Sequence, residues 1–231
     1  MRRGGGLRSR SRTRLALYAL AGAVLVLALA QVFLPRIAAS RISSRVGRYG
    51  EVEGVSVSAW PAVELLWGSV DSVRVRARRL ALSPAQAAKL VWEGRGVQSM
   101  DLTAGSLQVG PLRLGDARLR KRGSALSAEA RASASDVRAA LPAGWAVTLL
   151  NSRGGEVEVR ASGGLFGVGA SVDAVALASE GRLVAHPLGL PLEGLQLTLF
   201  SDRHVHVEGV GARLEPGPPP AYRLSMSASL R

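Results

Sequence analysis

The sequence predicts an α+β protein, mostly antiparallel β, preceded by one apolar N-terminal segment. Three observations lead to this class. Apolar and polar residues alternate with a period of two through most of the chain after residue 50, as in strands with one buried face. Only short stretches with helical spacing interrupt that alternation. Residues 15–34 carry no charged side chain, and a helix of that length covers the roughly 30 Å hydrocarbon core of a bilayer.

The first 34 residues have the organisation of an export or anchor segment. Arginines are concentrated in residues 1–14, and cationic residues before a span favour a cytoplasmic N-terminus. We therefore expect residues 1–14 to be a cytoplasmic basic segment and the following domain to be extracytoplasmic. Residues 15–34 are either a retained single-pass anchor, which their full spanning length favours, or a signal segment cleaved after Ala30, which would give a secreted protein.

Residues 35–50 predict an amphipathic juxtamembrane helix with two parallel stripes, one apolar and one basic. The apolar stripe is Ile42, Val46 and Tyr49, and the basic stripe is Arg41, Arg45 and Arg48. Two arrangements fit this spacing equally well. The helix lies against anionic headgroups beside the anchor, or it packs on the following domain with its basic face in water.

Residues 51–231 are expected to form one β-rich domain, because no composition change divides them. Between glycine and proline punctuation, the strand candidates are 52–58, 72–78, 97–103, 106–109, 112–120, 124–132, 156–161, 168–178, 181–185, 195–199, 204–208 and 222–230. The helix candidates are 61–67, 84–92 with Ser83 as its N-cap, and 136–141 after Ser135. The glycine-rich run 163–169 is interpreted as a hairpin or as a close approach of two backbones.

Composition and motifs narrow the function classes. The net charge is +13, but only ten aromatic residues are present and none alternates with the basic ones, which argues against nucleic acid as a partner. Cysteine is absent, so a disulfide framework or thiol chemistry is excluded. No nucleophile elbow or phosphate-binding loop occurs, and we expect a protein that is not an enzyme and has no cofactor.

One set of possible metal ligands stands out in this sequence. His204, His206 and Glu208 share one face of a predicted strand at alternate positions. That face is open and would meet solvent, so an exposed polar face is the favoured interpretation and no metal site is predicted.

Residues 45–214 contain several weak motifs in a characteristic order. The first comprises Val55, Trp60, Pro61, Leu65, Leu66, Gly68, Val70, Asp71, Val73 and Val75. The later ones are Ser135-Asp136-Val137, Gly155 to Val159, Gly181-Arg182-Leu183 before Pro187, and Val205 to Leu214. In the order of these motifs the chain resembles the LmeA-like domain-of-unknown-function family of actinobacteria. The Pro-rich loop 215–220 and the final strand do not map to the family.

The resemblance implies a tubular lipid-binding fold similar to the BPI/TULIP superfamily, in which a curved sheet wraps short helices. It also implies a periplasmic or cell-surface role with membrane phospholipid as the partner, in support of lipoglycan or envelope assembly. It identifies no protein partner. The main alternative is a structural or scaffolding domain of the cell envelope that binds a protein and no lipid.

The residues themselves supply candidates for a lipid site, which needs apolar area for acyl chains and cations for phosphate. The apolar candidates lie on the first two predicted helices and are Trp60, Val63, Leu66, Trp67, Leu90 and Trp92. The headgroup candidates are Arg74, Arg76 and Arg78 on the polar face of one strand. The competing interpretations are core packing for the apolar set and a solvated strand face for the arginines.

Overall fold

The computed structural model describes residues 34, 36–59, 70–165, 168–189 and 196–231. Helix α1 covers residues 36–46 and continues into a 3₁₀ turn at Gly47–Tyr49. The other described helices are α2 Pro84–Glu93 and α3 Ala134–Ala139. The strands are β1 Gly50–Ser58, β2 Val70–Leu82, β3 Val97–Val109, β4 Leu112–Arg122, β5 Ala125–Ser133, β6 Ala146–Arg153, β7 Glu156–Leu165, β8 Val168–Ser179, β9 Arg182–Leu188, β10 Leu197–Phe200, β11 Val205–Glu215 and β12 Ala221–Leu230. Mostly antiparallel β structure with few short helices is therefore confirmed.

The larger of two sheets has seven strands in the order β1-β2-β3-β4-β5-β12-β11. All neighbours are antiparallel except β2 and β3, and the crossover that a parallel pair needs is supplied by α2. Ser83 starts this helix with a capping box: its hydroxyl accepts from the Gln86 N–H at 3.2 Å, and the Gln86 side chain accepts from the Ser83 N–H at 2.7 Å. With Pro84 at the first helical position, the predicted helix and its N-cap are confirmed.

The second sheet has five antiparallel strands in the order β10-β9-β8-β7-β6. Strands β7 and β8 stay paired as far as Leu165 opposite Val168, which confirms the hairpin expected from the glycine-rich run. Gly163 lies in this hairpin against Trp145, and an added Cβ there would come within 2.5 Å of the indole. The missing side chain therefore leaves the space in which the indole packs.

The second sheet meets the free edge of the first sheet through its hairpin turns. The Val207 N–H donates to the Gly181 carbonyl at 2.9 Å, and the Val210 N–H donates to the Gly155 carbonyl at 3.0 Å. Both acceptors come from turns, between β8 and β9 and between β6 and β7. These bonds occupy backbone donors of β11 that an edge strand otherwise leaves unpaired.

The main core lies on one face of the seven-stranded sheet, beneath α1. Its buried members are Val46, Val57, Val73, Val75, Ala77, Leu80, Ala104, Ala117 and Ala130. On α1, Ala38, Ala39 and Ile42 pack against this cluster, while the arginines of the basic stripe are exposed. The structure therefore shows that α1 packs on the domain, and contact of its exposed basic stripe with anionic headgroups stays a prediction.

A smaller buried cluster lies beneath α2 on the same face of the sheet. It joins Ala88 of the helix to Leu126, Val205 and Ala228 of three neighbouring strands. Val91, Phe200 and Leu230 pack around it. The two helices α1 and α2 therefore cover different parts of one sheet face.

Several elements differ from the sequence-based prediction. Strand β6 has no counterpart among the predicted strands, and β3 runs unbroken through Gly105, where two strands were expected. Helix α3 begins two residues earlier than predicted, and its N-cap is Ser133, whose hydroxyl accepts from the Asp136 N–H at 3.0 Å. Ser135, the predicted N-cap, is the second residue of the helix.

Two further predicted elements lie wholly or largely outside the described residues. The helix expected over 61–67 lies outside the described residues. Of the apolar segment 15–34, only Leu34 is described. No helix within the described ranges has both the length and the apolar character needed to cross a membrane.

Candidate functional site

The inner face of the seven-stranded sheet, defined as the face that carries both buried clusters, has one row of apolar side chains that is only half covered. Its members are direct register neighbours on β3, β4, β5, β12 and β11. They are Leu102, Leu119, Ala128, Met226 and Val210, and all are half-buried. We call this row the inner strip. Side chains opposite one another on adjacent strands touch, so the strip is a continuous apolar surface across five strands.

Buried side chains flank the inner strip on both sides. Ala104, Ala117 and Ala130 on one side belong to the main core, which α1 covers. Leu126 and Ala228 on the other side belong to the smaller cluster, which α2 covers. The strip therefore lies in a gap between the two helices, and the described residues cover it only in part.

The C-terminal end of α2 is fixed by its aromatic residue. The Trp92 indole stacks on the His204 ring with centroids 4.1 Å apart and planes inclined by 22°. The Arg95 guanidinium lies 4.6 Å from the centroid of the same indole, which is a cation–π geometry. Of the two lipid-site candidates on this helix, Trp92 thus contacts both a ring and a cation, and Leu90 is half-buried nearby on α2.

A buried lysine lies on the inner face next to the smaller cluster. Lys121 is 1% exposed and stands opposite Leu126 in the β4–β5 register. Its ammonium donates to the Arg95 carbonyl at 3.2 Å and to the Val97 carbonyl, which ties the loop after α2 to the sheet. Burial lowers the pKa of Lys121 from its ordinary value of 10.5, because the charged form loses hydration.

The second sheet carries another apolar surface, here called the second-sheet face. Each of its members is half-buried. They are Val147, Leu149, Val157, Val159, Ala161, Val172, Ala174, Ala176, Ala185 and Pro187. The opposite face is mixed: it carries buried Val184 with half-buried Val175 and Leu177. On the same face Arg160 binds Asp173 through two hydrogen bonds of 2.6 and 2.8 Å. Those hydrogen bonds lower the pKa of the Asp173 carboxyl, as expected for a carboxylate paired with a cation at the surface.

The three headgroup candidates lie on the other side of the large sheet. Arg74, Arg76 and Arg78 are exposed, and they alternate along β2 with the buried side chains of the main core. Arg78 pairs with Glu53 at 3.3 Å. The sheet therefore separates these arginines from the inner strip, and their role at a headgroup stays a prediction.

The remaining lipid-site candidates belong to the first predicted helix. Trp60, Val63, Leu66 and Trp67 all lie outside the described residues. Their proposed contact with lipid stays a prediction.

The residues of the inner strip were not among the candidates drawn from the sequence. Leu102, Leu119 and Met226 each occupy an apolar position of an alternating strand, so the sequence indicates that they face inward. It does not indicate that they stand side by side. That follows from the strand register, which brings together residues more than a hundred positions apart.

The histidines considered as metal ligands take part in other contacts. His204 stacks on Trp92, and the His206 Nε2 lies 3.3 Å from the Arg231 guanidinium. A register shift between Val207 and Gly209 breaks the alternation that would place both histidines and Glu208 on one face. Across the described ranges, no group of three His, Asp or Glu side chains could hold a metal ion.

An apolar strip left partly uncovered between two helices is the kind of surface with which proteins bind apolar molecules. A comparison of the sequence with models of protein families identifies one such class. The chain belongs to the LmeA-like phospholipid-binding family, whose model matches residues 26–220. The match thus includes the Pro-rich loop 215–220, which was expected to lie outside the resemblance, and stops before the final strand. The family is described by binding and not by a catalytic activity. Neither the curated proteins nor the solved structures include a match to the chain.

Proposed function

We propose that this protein binds phospholipid and holds acyl chains on the inner strip. The proposal rests on one observation: a continuous row of half-buried apolar side chains crosses five strands between two helix-covered clusters. An acyl chain offers only apolar area, so its site must offer apolar area in return. Membership of a phospholipid-binding family supports the same ligand class.

The wider setting of this function is also part of the proposal. We infer that the sheets form a tubular lipid-binding domain of the BPI/TULIP kind, attached to the membrane by the apolar segment 15–34. The N-terminus would be cytoplasmic and the domain extracytoplasmic, where it would serve lipoglycan or envelope assembly without being an enzyme. The arginine-rich residues 1–14 and the uncharged segment that follows support this orientation.

Lipid content of the purified full-length chain tests the acyl site directly. Leu119→Asn and Met226→Gln each place an amide on the strip in a side chain of similar length. Burying an amide without a partner costs about 1–3 kcal/mol, so we expect roughly tenfold weaker phospholipid binding in each variant. Native mass spectrometry from a maltoside detergent measures the bound phospholipid, and thermal melting confirms that each variant is folded.

The matched control is Leu150→Asn, which makes the same change at an exposed position on β6. It should retain the lipid content of the unchanged chain. Full lipid content in folded Leu119→Asn and Met226→Gln would rule out the inner strip. Loss of lipid in Val159→Asn alone would move the acyl site to the second-sheet face.

A second candidate function is a scaffolding domain that binds an envelope protein and no lipid. One observation favours it: Leu197 and Leu199 on the edge strand β10 are 63% and 47% exposed. Exposed leucines at the edge of an apolar sheet face are typical of a protein interface. The two functions differ in a measurable way, because only the phospholipid binder copurifies with stoichiometric lipid.

A further inference from the structure

Three arginines stand side by side on the outer face of the seven-stranded sheet, opposite the inner strip. Arg131 on β5 is the register partner of Arg223 on β12, which is the partner of Arg213 on β11. Like charges placed directly opposite on neighbouring strands repel one another. A row of three such cations is therefore stable only if negative charge lies nearby.

One carboxylate supplies part of that charge. The Glu215 Oε1 accepts a hydrogen bond from the Arg223 Nε–H at 2.6 Å, and the Glu215 Oε2 lies 3.1 Å from the Arg131 Nε. Its side chain is 19% exposed, so this bridge holds both guanidinium groups in fixed positions. Each contact is made by Nε, so among the described residues the terminal nitrogens of the two arginines remain available for a further acceptor. Within the described residues Arg213 has no ion pair, and the row keeps two positive charges in excess.

A pocket of about 550 Å³ opens beside this row, where β11 meets the second sheet. It is lined by Glu129, Ser152, Gly211, Ala212, Arg213, Arg223 and Ser225. Gly211 keeps its floor clear, because a Cβ there would lie 2.7 Å from the Ser225 hydroxyl. The Ser152 hydroxyl accepts from the Ala212 N–H at 3.0 Å, which fixes the wall formed by the second sheet. The pocket is thus polar, with two guanidinium groups in its lining.

We propose that this pocket is a binding site for an oxyanion of the phosphate-ester class. A planar guanidinium presents paired N–H donors that match two oxygens of a phosphate, and Arg223 is already oriented by Glu215. A bound phosphate neutralises the excess charge of the row, for which the described part of the chain supplies no further ion pair. The site lies on the opposite side of the sheet from the inner strip and does not depend on the acyl-binding proposal.

Glu129 is the one acidic group in the lining. It stands opposite Arg118 in the β4–β5 register, so a cation of its own faces it from the neighbouring strand. Its carboxylate accepts hydrogen bonds, which suits a hydroxyl next to the phosphate better than a second phosphate. The preferred ligand is therefore a phosphate ester with a free hydroxyl group, either soluble or as part of a lipid headgroup.

Isothermal titration of the full-length chain in maltoside with glycerol 3-phosphate and with inorganic phosphate tests the site. We expect saturable binding that weakens at least about tenfold in Arg213→Gln and in Arg223→Gln, the loss typical of a charge-assisted hydrogen bond. Arg120→Gln is the control, because it removes the same charge from an exposed position on β4 that does not line the pocket. Arg120→Gln should bind as the unchanged chain does.

Sedimentation with vesicles separates the two sources of the phosphate. If the ligand is a headgroup, vesicles containing phosphatidylglycerol bind the chain more tightly than pure phosphatidylcholine vesicles, and Arg213→Gln abolishes the difference. If it is soluble, glycerol 3-phosphate binds and the vesicle preference is the same in Arg213→Gln.

Absence of saturable binding to every probe, or an equal loss in Arg120→Gln, overturns the proposal. Neither result changes the lipid content measured for the inner-strip variants, so the two proposals fail separately.

Discussion

At the scale of single residues, Lys121 is a cation that the fold uses inside its core. The lysine is almost fully buried, and its ammonium donates to the carbonyls of Arg95, in the loop after α2, and of Val97, the first residue of β3. Lys121→Met keeps the length of the side chain and removes both donors. Because each buried carbonyl left without a donor costs about 1–3 kcal/mol, we expect this variant to melt at a lower temperature.

The same lysine predicts a pH dependence. Its pKa is lower in the folded chain than the ordinary 10.5, so the unfolded chain binds more protons between these two values. The stability of the unchanged protein should rise with pH across that window, and Lys121→Met should lack the rise. Melting temperatures at pH 7 and pH 10 check this, with exposed Lys89→Met as the control. A gap between Lys121→Met and the unchanged chain that is no wider at pH 10 would contradict the prediction.

At the scale of elements, helix α3 has two serines near its N-terminus, and the sequence alone does not show which of them is the N-cap. Ser133 accepts from the Asp136 N–H, whereas Ser135 lies inside the first turn. We expect Ser133→Ala to lower the unfolding free energy by about 1 kcal/mol and Ser135→Ala to lower it by much less. Denaturant unfolding of both variants makes the comparison, and equal losses would show that Ser133 does not act as the cap.

The junction of the two sheets depends on a glycine in the β8–β9 turn. Gly181 has φ +77°, and an added Cβ would overlap the His206 ring on β11. Gly123, in the β4–β5 turn, has φ +57° but no atom within 4 Å of an added Cβ. Both alanine variants incur the backbone cost of about 1 kcal/mol, and only Gly181→Ala must also displace the ring. A larger drop in melting temperature for Gly181→Ala than for Gly123→Ala is the expected result, and equal drops would show that the ring moves freely.

The elements also show what could be predicted from the sequence. Alternation identified most strands, because one face of each is buried, and β2 with its exposed arginines is the clearest case. Strand β6 was missed because its sequence AVTLLNSR places Leu149 and Leu150 side by side and breaks the period of two. The parallel pairing of β2 with β3 and the alignment of the inner strip arise from tertiary register, which no local pattern records.

At the scale of the whole molecule, the proposed topology gives a further test. If the arginines of residues 1–14 hold the N-terminus inside, the domain faces away from the cytoplasm. A C-terminal fusion to green fluorescent protein, which does not fluoresce after unfolded export, should be dark in cells, and a fusion to alkaline phosphatase should be active. A bright fluorescent fusion with an inactive phosphatase fusion would exclude an extracytoplasmic domain.

The position of β12 has a consequence for how fast the protein reaches its native state. This strand lies between β5 and β11, and its Ala228 pairs with Leu126 across about a hundred residues of chain. Strands β3 to β5 join through short turns and can form early, and so can the β11–β12 hairpin. Their union must wait for a long loop to close, which is entropically costly. Until then the edges of β5 and β12 that later pair with each other are bare, and a chaperone that shields them during folding would raise the yield of folded protein.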